Sequence, residues 1–311
     1  MTQAGTFMAH SRTLTYSSPA AKAQYFILMG LFRLAFERSL FGRFARGLGR
    51  IFSSRNAVYL SQNGEAPFKI YLNDGYWTRF ALYHHDYEPE VERVLQAAAG
   101  HADMFCDLGA NKGFWSVRAA SQFDTVIAVE ASDATFQFLA ENTASLKSVT
   151  RMKKAIHEVS GKKLQFLNVP LSHASARIAD AAEGADETVE TVSIDDLVPA
   201  GTAALIKLDV EGAEIPAFDG AARALRDGAV FIYEDHGNDP ECLPSAHLLR
   251  NPEIRLYSTL NTAINLSSVE EIRALKSDPF KGYNFMAAHK DSPLLNAILE
   301  GFAISKTNRY E

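Results

Sequence analysis

A chain of 311 residues that is 47% hydrophobic and 22% charged lies in the ordinary globular range, which excludes collagen-like, disordered and coiled-coil architectures. Its formal charge of −6 argues against a chain-wide affinity for nucleic acid. Cys106 and Cys242 are the only cysteines, so there is neither a disulfide framework nor a paired-cysteine zinc site, and a reducing, cytoplasmic compartment is the natural expectation.

Residues 1–20 are polar and without periodicity, and read as a mobile tail. Residues 21–56 read as a basic amphipathic helical segment. Tyr25, Leu28, Met29, Phe32 and Phe36 recur at spacings of three and four, and arginines fill much of the other face. Over residues 1–56, Arg12, Lys22, Arg33, Arg38, Arg43, Arg46, Arg50 and Arg55 stand against Glu37 alone, so the segment carries +8 − 1 = +7 and the remainder −6 − 7 = −13. The basic residues lie after and among the apolar ones, unlike a secretory signal, and they interrupt the apolar run well short of the ~18 residues of a membrane span. Such a helix can rest on an anionic membrane, or pack on its own domain or on a second subunit as a homo-oligomer. Packing is the default for a half-buried helix.

Residues 57–311 read as one catalytic domain with its core at about 103–236. AVYLSQ and PFKIYL flank Asn63-Gly64 as a hairpin that could serve as a lid, and a helix is expected over 88–99. Strand and helix signals then alternate. MFCDLG precedes a helical KGFWSVRAASQ, TVIAVE precedes a helix capped by Ser132 or Asp133, and VTRMKKAIHE supplies a third strand. GKKLQFLNV and ETVETVSI read as strands around a polar loop. The alternation resumes with AALIKLDV, the helix AEIPAFDGAARALRDG, and the strand AVFIYED. RLYSTL, the helix VEEIRALKS and the strand YNFMAAH follow. This order predicts a parallel α/β sheet with right-handed crossovers.

Two motifs carry chemistry. The first is Asp107-x-Gly109-x-Asn111-x-Gly113, between a strand and a helix, where glycines admit a tight turn and a close ligand. Glu130 ends the next strand, 130 − 109 = 21 residues on, at the place of an acid that receives a ribose diol. The loop is neither a G-x-G-x-x-G fingerprint nor a P-loop. An acid before it suits a ligand with a cationic amino-acid end, such as S-adenosylmethionine (SAM). A ligand-free glycine turn is the alternative. The second motif is Lys207-Leu208-Asp209-Val210-Glu211-Gly212-Ala213-Glu214, followed at the next strand end by Glu234-Asp235-His236. Acids at two adjacent strand ends lie where open α/β sheets bind ligands, although either could be a solvated, helix-capping turn.

Together DLGANKGFWS, VIAVEAS, ETVSIDDL and IKLDVEGAE, with Gly220 downstream, resemble the FkbM family of SAM-dependent methyltransferases over about residues 103–236. The resemblance implies a Rossmann-like class I methyltransferase sheet flanked by helices, with the N-terminal segment as an appendage. It also implies O-methylation of a sugar, glycoconjugate or secondary metabolite. Many relatives carry Glu-Pro after the second strand, whereas this chain has Glu130-Ala131-Ser132. On this reading Asp107, Gly109, Ala110, Asn111, Gly113 and Glu130 bind cofactor, and Ala155 lies near the adenine. Similarity to magnesium-dependent sugar O-methyltransferases makes Asp209, Glu234 and Asp235 the expected Mg2+ ligands. Glu211 is the expected base and His236 its rival, since an alkyl hydroxyl must lose a proton to become a nucleophile. His84 and His85 read as a surface or packed pair and Cys106 as a buried small residue. A non-catalytic assembly or membrane module with a degenerate fold is the competing function.

Overall fold

The computed structural model describes residues 12–37, 56–62, 64–82, 87–167, 177–178, 187–260, 262–279 and 281–307. His84, His85 and Asn63 lie outside them. The chain divides into two compact units, 1–87 and 88–311.

In the first unit β1 (Arg12–Tyr16) pairs antiparallel with β2 (Ala57–Gln62), which pairs with β3 (Phe68–Tyr71). Arg12–Tyr16, expected within a mobile tail, is therefore a strand, and the hairpin supplies the middle strand and one edge of a three-stranded sheet. Helix α1 (Pro19–Glu37) buries Ala21, Gln24, Tyr25, Leu28 and Phe32, and the Tyr25 hydroxyl donates to the Ala81 carbonyl at 3.2 Å in α2 (Thr78–Leu82). Its other face differs from the expectation. Phe26 and Ile27 are exposed there, and Met29, expected in the buried stripe, is exposed with Leu31 at its margins, so between Lys22 and Leu31 the outer face is apolar rather than basic. The hairpin groups with α1, which moves the boundary expected at 57 to 87/88.

The second unit begins with α3 (Pro89–Ala98), stopped at Gly100, whose φ of 79° suits a residue without a side chain. Strand β4 (Met104–Leu108) leads to α4 (Phe114–Ala119), and β5 (Val126–Glu130) to α5 (Asp133–Asn142), capped by the Ser132 hydroxyl. β6 (Val149–Lys153) and β7 (Ala155–Ile156) follow. β7, β8 (Lys163–Leu167), β9 (Arg177–Ile178) and β10 (Glu187–Val192) form a side sheet. After α6 (Ile194–Leu197) comes β11 (Ala204–Leu208). The single helix expected over 213–228 is two, α7 (Glu214–Asp219) and α8 (Ala222–Arg226). They break at Gly220, where a Cβ would lie 2.5 Å from the His157 carbonyl oxygen. β12 (Val230–His236), α9 (Leu243–Leu249), β13 (Ile254–Ser258), β14 (Ile264–Leu266), α10 (Val269–Leu275), β15 (Gly282–His289) and α11 (Pro293–Thr307) complete the unit.

The main sheet has the order β14-β13-β15-β12-β11-β4-β5-β6. β6, β5, β4, β11 and β12 are parallel, and β15 inserts antiparallel between β12 and β13. The order reverses at the β4/β11 pair, and β15, third from the β14 edge, runs antiparallel to both neighbours, as expected of the Rossmann-like sheet that the sequence resemblance implies. β4 and β11 are buried at every position because helices cover both faces, which explains their continuous apolar runs. The core is filled by Phe105, Ile206, Phe231, Tyr233 and Phe285. The C-terminal edge at this reversal is where such a sheet opens a crevice.

Candidate functional site

The first motif occupies the β4 edge. Gly109 and Ala110 both donate backbone N–H to the Val129 carbonyl at 2.9 Å, closing the loop onto β5. Gly109 has φ 78°, and a Cβ there would stand 1.8 Å from the Asp209 carbonyl oxygen. Only glycine permits that approach, which brings the loop after β4 directly against the end of β11. Gly113, at φ 84°, meets Leu139 of α5 in the same way. Asn111 holds a left-handed φ of 51°, and its N–H donates to Glu130 Oε2 at 2.9 Å. Ser132 N–H donates to Glu130 Oε1 at 2.9 Å. Burial pushes the Glu130 carboxyl up to about 7, and these backbone amides oppose the shift. Asp107 is 1% exposed and accepts from Ser116 Oγ at 2.6 Å. Burial raises its pKa, while the Lys207 ammonium opposes the rise. Ala155 lies just past β6, pairs with Thr191 and packs among Val189, Ala131 and Leu164.

The second motif supplies one buried cation and several acids. Lys207 Nζ donates to Asp209 Oδ2 at 2.9 Å with its side chain 3% exposed. Burial works against its charge, yet Asp209, Glu88 and Asp107 hold it protonated well above the ordinary lysine value. Burial penalises the Asp209 charge, but Lys207 and a hydrogen bond from Glu234 hold Asp209 below the usual range. Glu234 is pushed up to about 10 by burial and by Asp209, so it carries the proton they share. Its carboxyl has room only because β15 presents Gly282, where a Cβ would fall 1.3 Å from Glu234 Oε1. Glu211 follows at φ 51°; desolvation and its neighbours Asp209 and Glu214 raise its carboxyl to about 8. Carboxylate oxygens of Asp209, Glu211 and Glu234 come within 4.8 Å of one another.

Asp235 does not join them. Strand alternation turns it to the opposite face of β12, where it is 0% exposed, paired with Lys276 and bonded to Ser245. Lys276 Nζ also donates to the carbonyls of His236 at 3.0 Å and Asp239 at 2.9 Å, which fixes the turn after β12. Asp235 is thereby separated from Asp209 and Glu234, with which it was expected, and Glu211 stands beside them instead. His236 shares the Glu234 face of the strand and is half-buried, with Nδ1 2.7 Å from Asn238 Oδ1.

Lys207 stood in the second motif without an assigned role, and Glu88 stood outside both motifs. Glu88, at the start of α3, has φ 45°, and its side chain makes no capping bond to its own helix. Its Oε2 accepts the indole N–H of Trp115 at 2.7 Å instead, and its charge acts on both Lys207 and Glu234. Three of the four described non-glycine residues with positive φ, Glu88, Asn111 and Glu211, thus belong to this one region. Strained backbone of this kind gathers at functional sites. Nothing in the local pattern around Glu88 marks it as more than a helix start.

Residues 107–275 match the sequence model of the Methyltransferase FkbM domain, more than half of the chain and the whole of both motifs. The chain belongs to the FkbM methyltransferase family. The chain is similar to the hexuronic acid methyltransferase AglP of Haloferax volcanii, at 30% identity over 159 residues, 50% of this chain and 65% of that protein. The chain therefore spans slightly less than two thirds of that relative. Among solved structures it is similar to the methyltransferase FkbM from Methylobacillus flagellatus KT, with 18% identity and TM-score 0.37 over 60% of this chain and 44% of that one. It is also similar to the O-methyltransferase from Bacillus cereus in complex with SAH, with 15% identity and TM-score 0.39 over 68% and 86% of the two chains.

Proposed function

We propose that this FkbM-family chain is a SAM-dependent O-methyltransferase acting on a hydroxyl of a sugar or glycoconjugate. The observation that carries the reading is the contact of Gly109 with the Asp209 carbonyl, which seats the cofactor-type loop against the acidic end of β11. The residues fit the cofactor. Glu130 is a buried carboxylate already held by two backbone N–H groups and so oriented toward a diol. Glycines at 109 and 113 put no Cβ at the two positions where the loop meets the Asp209 carbonyl and Leu139. Around the Lys207 ammonium stand the acids Asp209, Glu88 and Asp107, an excess of acid that favours a cationic ligand. Ala155, past the third strand, borders the adenine on this reading.

The cofactor supplies an electrophilic methyl group on a sulfonium. The chain must align an acceptor hydroxyl, exclude water and take its proton. Glu211, at the mouth of the acidic group, is the proposed base, and the proton passes from it to solvent. His236 is the alternative base on the neighbouring strand. The hexuronic acid substrate in the name of the archaeal relative supports a sugar acceptor. The +7 charge of residues 1–56 favours an acceptor or attachment at an anionic membrane surface over a purely soluble one.

A second reading adds Mg2+. Oxygens of Asp209, Glu211 and Glu234 lie close enough together to share one hard cation, which would orient the acceptor oxygen and lower its pKa. The test is methyl transfer from SAM to glucuronic acid and related sugars, with EDTA or added magnesium. Glu211→Gln should lower turnover by about 10²-fold or more with SAM affinity kept. Unchanged turnover removes Glu211 as base, and EDTA-insensitive turnover removes the metal.

A further inference from the structure

Helix α1 is apolar on two faces. Ala21, Tyr25, Leu28 and Phe32 form the buried stripe that holds it on the first unit. Phe26, 50% exposed, and Ile27, 55% exposed, point away from that stripe, and Met29 and Leu31, 38% exposed each, stand at its two margins. Packing within the unit accounts for the first face and leaves the second in water. Large exposed apolar side chains gathered on one short stretch mark an interaction surface.

Charge selects the occupant. Directly after these residues the sequence carries Arg33, Arg38, Arg43, Arg46, Arg50 and Arg55 against Glu37, a balance of +6 − 1 = +5 over residues 33–55. A second copy meeting this surface through the same segment would set two such basic stretches side by side. An anionic lipid surface takes up both features, since apolar side chains enter the acyl boundary while arginines meet headgroup phosphates. No described helix is long and apolar enough to cross a membrane, so the contact is one of lying on the surface.

We infer that the outward Phe26 and Ile27 of α1, borne on a segment of net positive sequence charge, dock the protein on an anionic phospholipid membrane. The inference is independent of the methyl-transfer reading. It gives the basic N-terminal segment a task that the cofactor and acceptor residues leave unassigned.

The test is co-sedimentation of the full chain with vesicles of phosphatidylcholine and phosphatidylglycerol (about 7:3) and with phosphatidylcholine alone. The protein should pellet with the anionic vesicles, and binding should fall as NaCl rises from ~0.1 to ~0.5 M. The double variant Phe26→Ser/Ile27→Ser replaces exposed side chains and should melt as wild type does. Its partition onto the same vesicles should be weaker by about tenfold or more. Binding by the double variant equal to wild type would overturn the role of the apolar face. No vesicle binding would overturn the inference, in favour of a second copy if light scattering then shows a dimer, or of contact within the chain if it shows a monomer. The same preparation is titrated with S-adenosylhomocysteine (SAH), so loss of membrane docking and failure of the methyl-transfer reading register separately.

Discussion

Protonation of Glu130 should set the pH dependence of cofactor binding. Its ordinary value of 4.5 is raised to about 7 in the folded chain, chiefly by burial. Ribose hydroxyls donate hydrogen bonds, so they bind the carboxylate and lower its pKa again. If binding restores a value of ~5 or less, the free site loses affinity by the factor 1 + 10^(7 − pH), which is ~11 at pH 6 and ~1.1 at pH 8. Affinity should therefore rise about tenfold between those pH values. The suitable ligand is 5′-methylthioadenosine, which keeps the ribose diol and lacks the titrating amino acid of SAM. Calorimetric titration at pH 6, 7 and 8 reads the effect, and Glu130→Gln should flatten it. The same shift acts on stability with a definite sign. The folded pKa lies above the unfolded one, so the folded state binds more protons between pH 4.5 and about 7 and stability falls across that window. The shift corresponds to about 3 kcal/mol, which Glu130→Gln should remove from the pH profile of urea unfolding. A flat binding profile in the wild-type chain, or an equal slope in Glu130→Gln, would refute the role given to this carboxylate.

Gly109→Ala would place a Cβ 1.8 Å from a backbone oxygen at φ 78°. It should cost about 3 kcal/mol or more, lower the Tm by roughly 6–12 °C and weaken SAH binding, as thermal melting and calorimetry would show. Gly282→Ala collides instead with the far end of a flexible side chain, Glu234 Oε1. Stability should fall by only ~1–2 kcal/mol and SAH affinity should hold within about twofold, while turnover drops about tenfold or more. Lys276→Met strands the fully buried Asp235. It should destabilise by about 3–5 kcal/mol in urea unfolding, with much of the loss restored in Asp235→Asn/Lys276→Met.

The parallel sheet was legible because its strands are short apolar runs at the spacing that helical crossovers require. The cofactor-type loop was legible because glycine identities at 109 and 113 encode backbone conformations that other residues resist. Gly220 ended a helix early for a reason no local pattern contains, since the His157 carbonyl that excludes a Cβ lies 63 positions away. Asp235 was misplaced because adjacent acids look alike in a sequence, whereas strand alternation sends them to opposite faces. Lys276, which takes Asp235 out of the acidic group, is 41 residues further on. Glu88 was invisible for the same reason, because its partners Trp115 and Lys207 come from other elements. Periodicity located α1 and the buried Tyr25, Leu28 and Phe32, but it counted the exposed Met29 with them and did not reveal that Phe26 and Ile27 leave the outer face apolar as well.

The most direct test of the central claim is calorimetric titration of the purified chain with SAH at pH 8, beside Glu130→Ala. The account predicts binding in the micromolar range, roughly −8 kcal/mol, weakened at least about tenfold in the variant, which still unfolds in one cooperative transition above the titration temperature. Absence of SAH binding by the folded wild-type chain would contradict the account and leave the acidic hollow at the ends of β11 and β12 without a methyl donor.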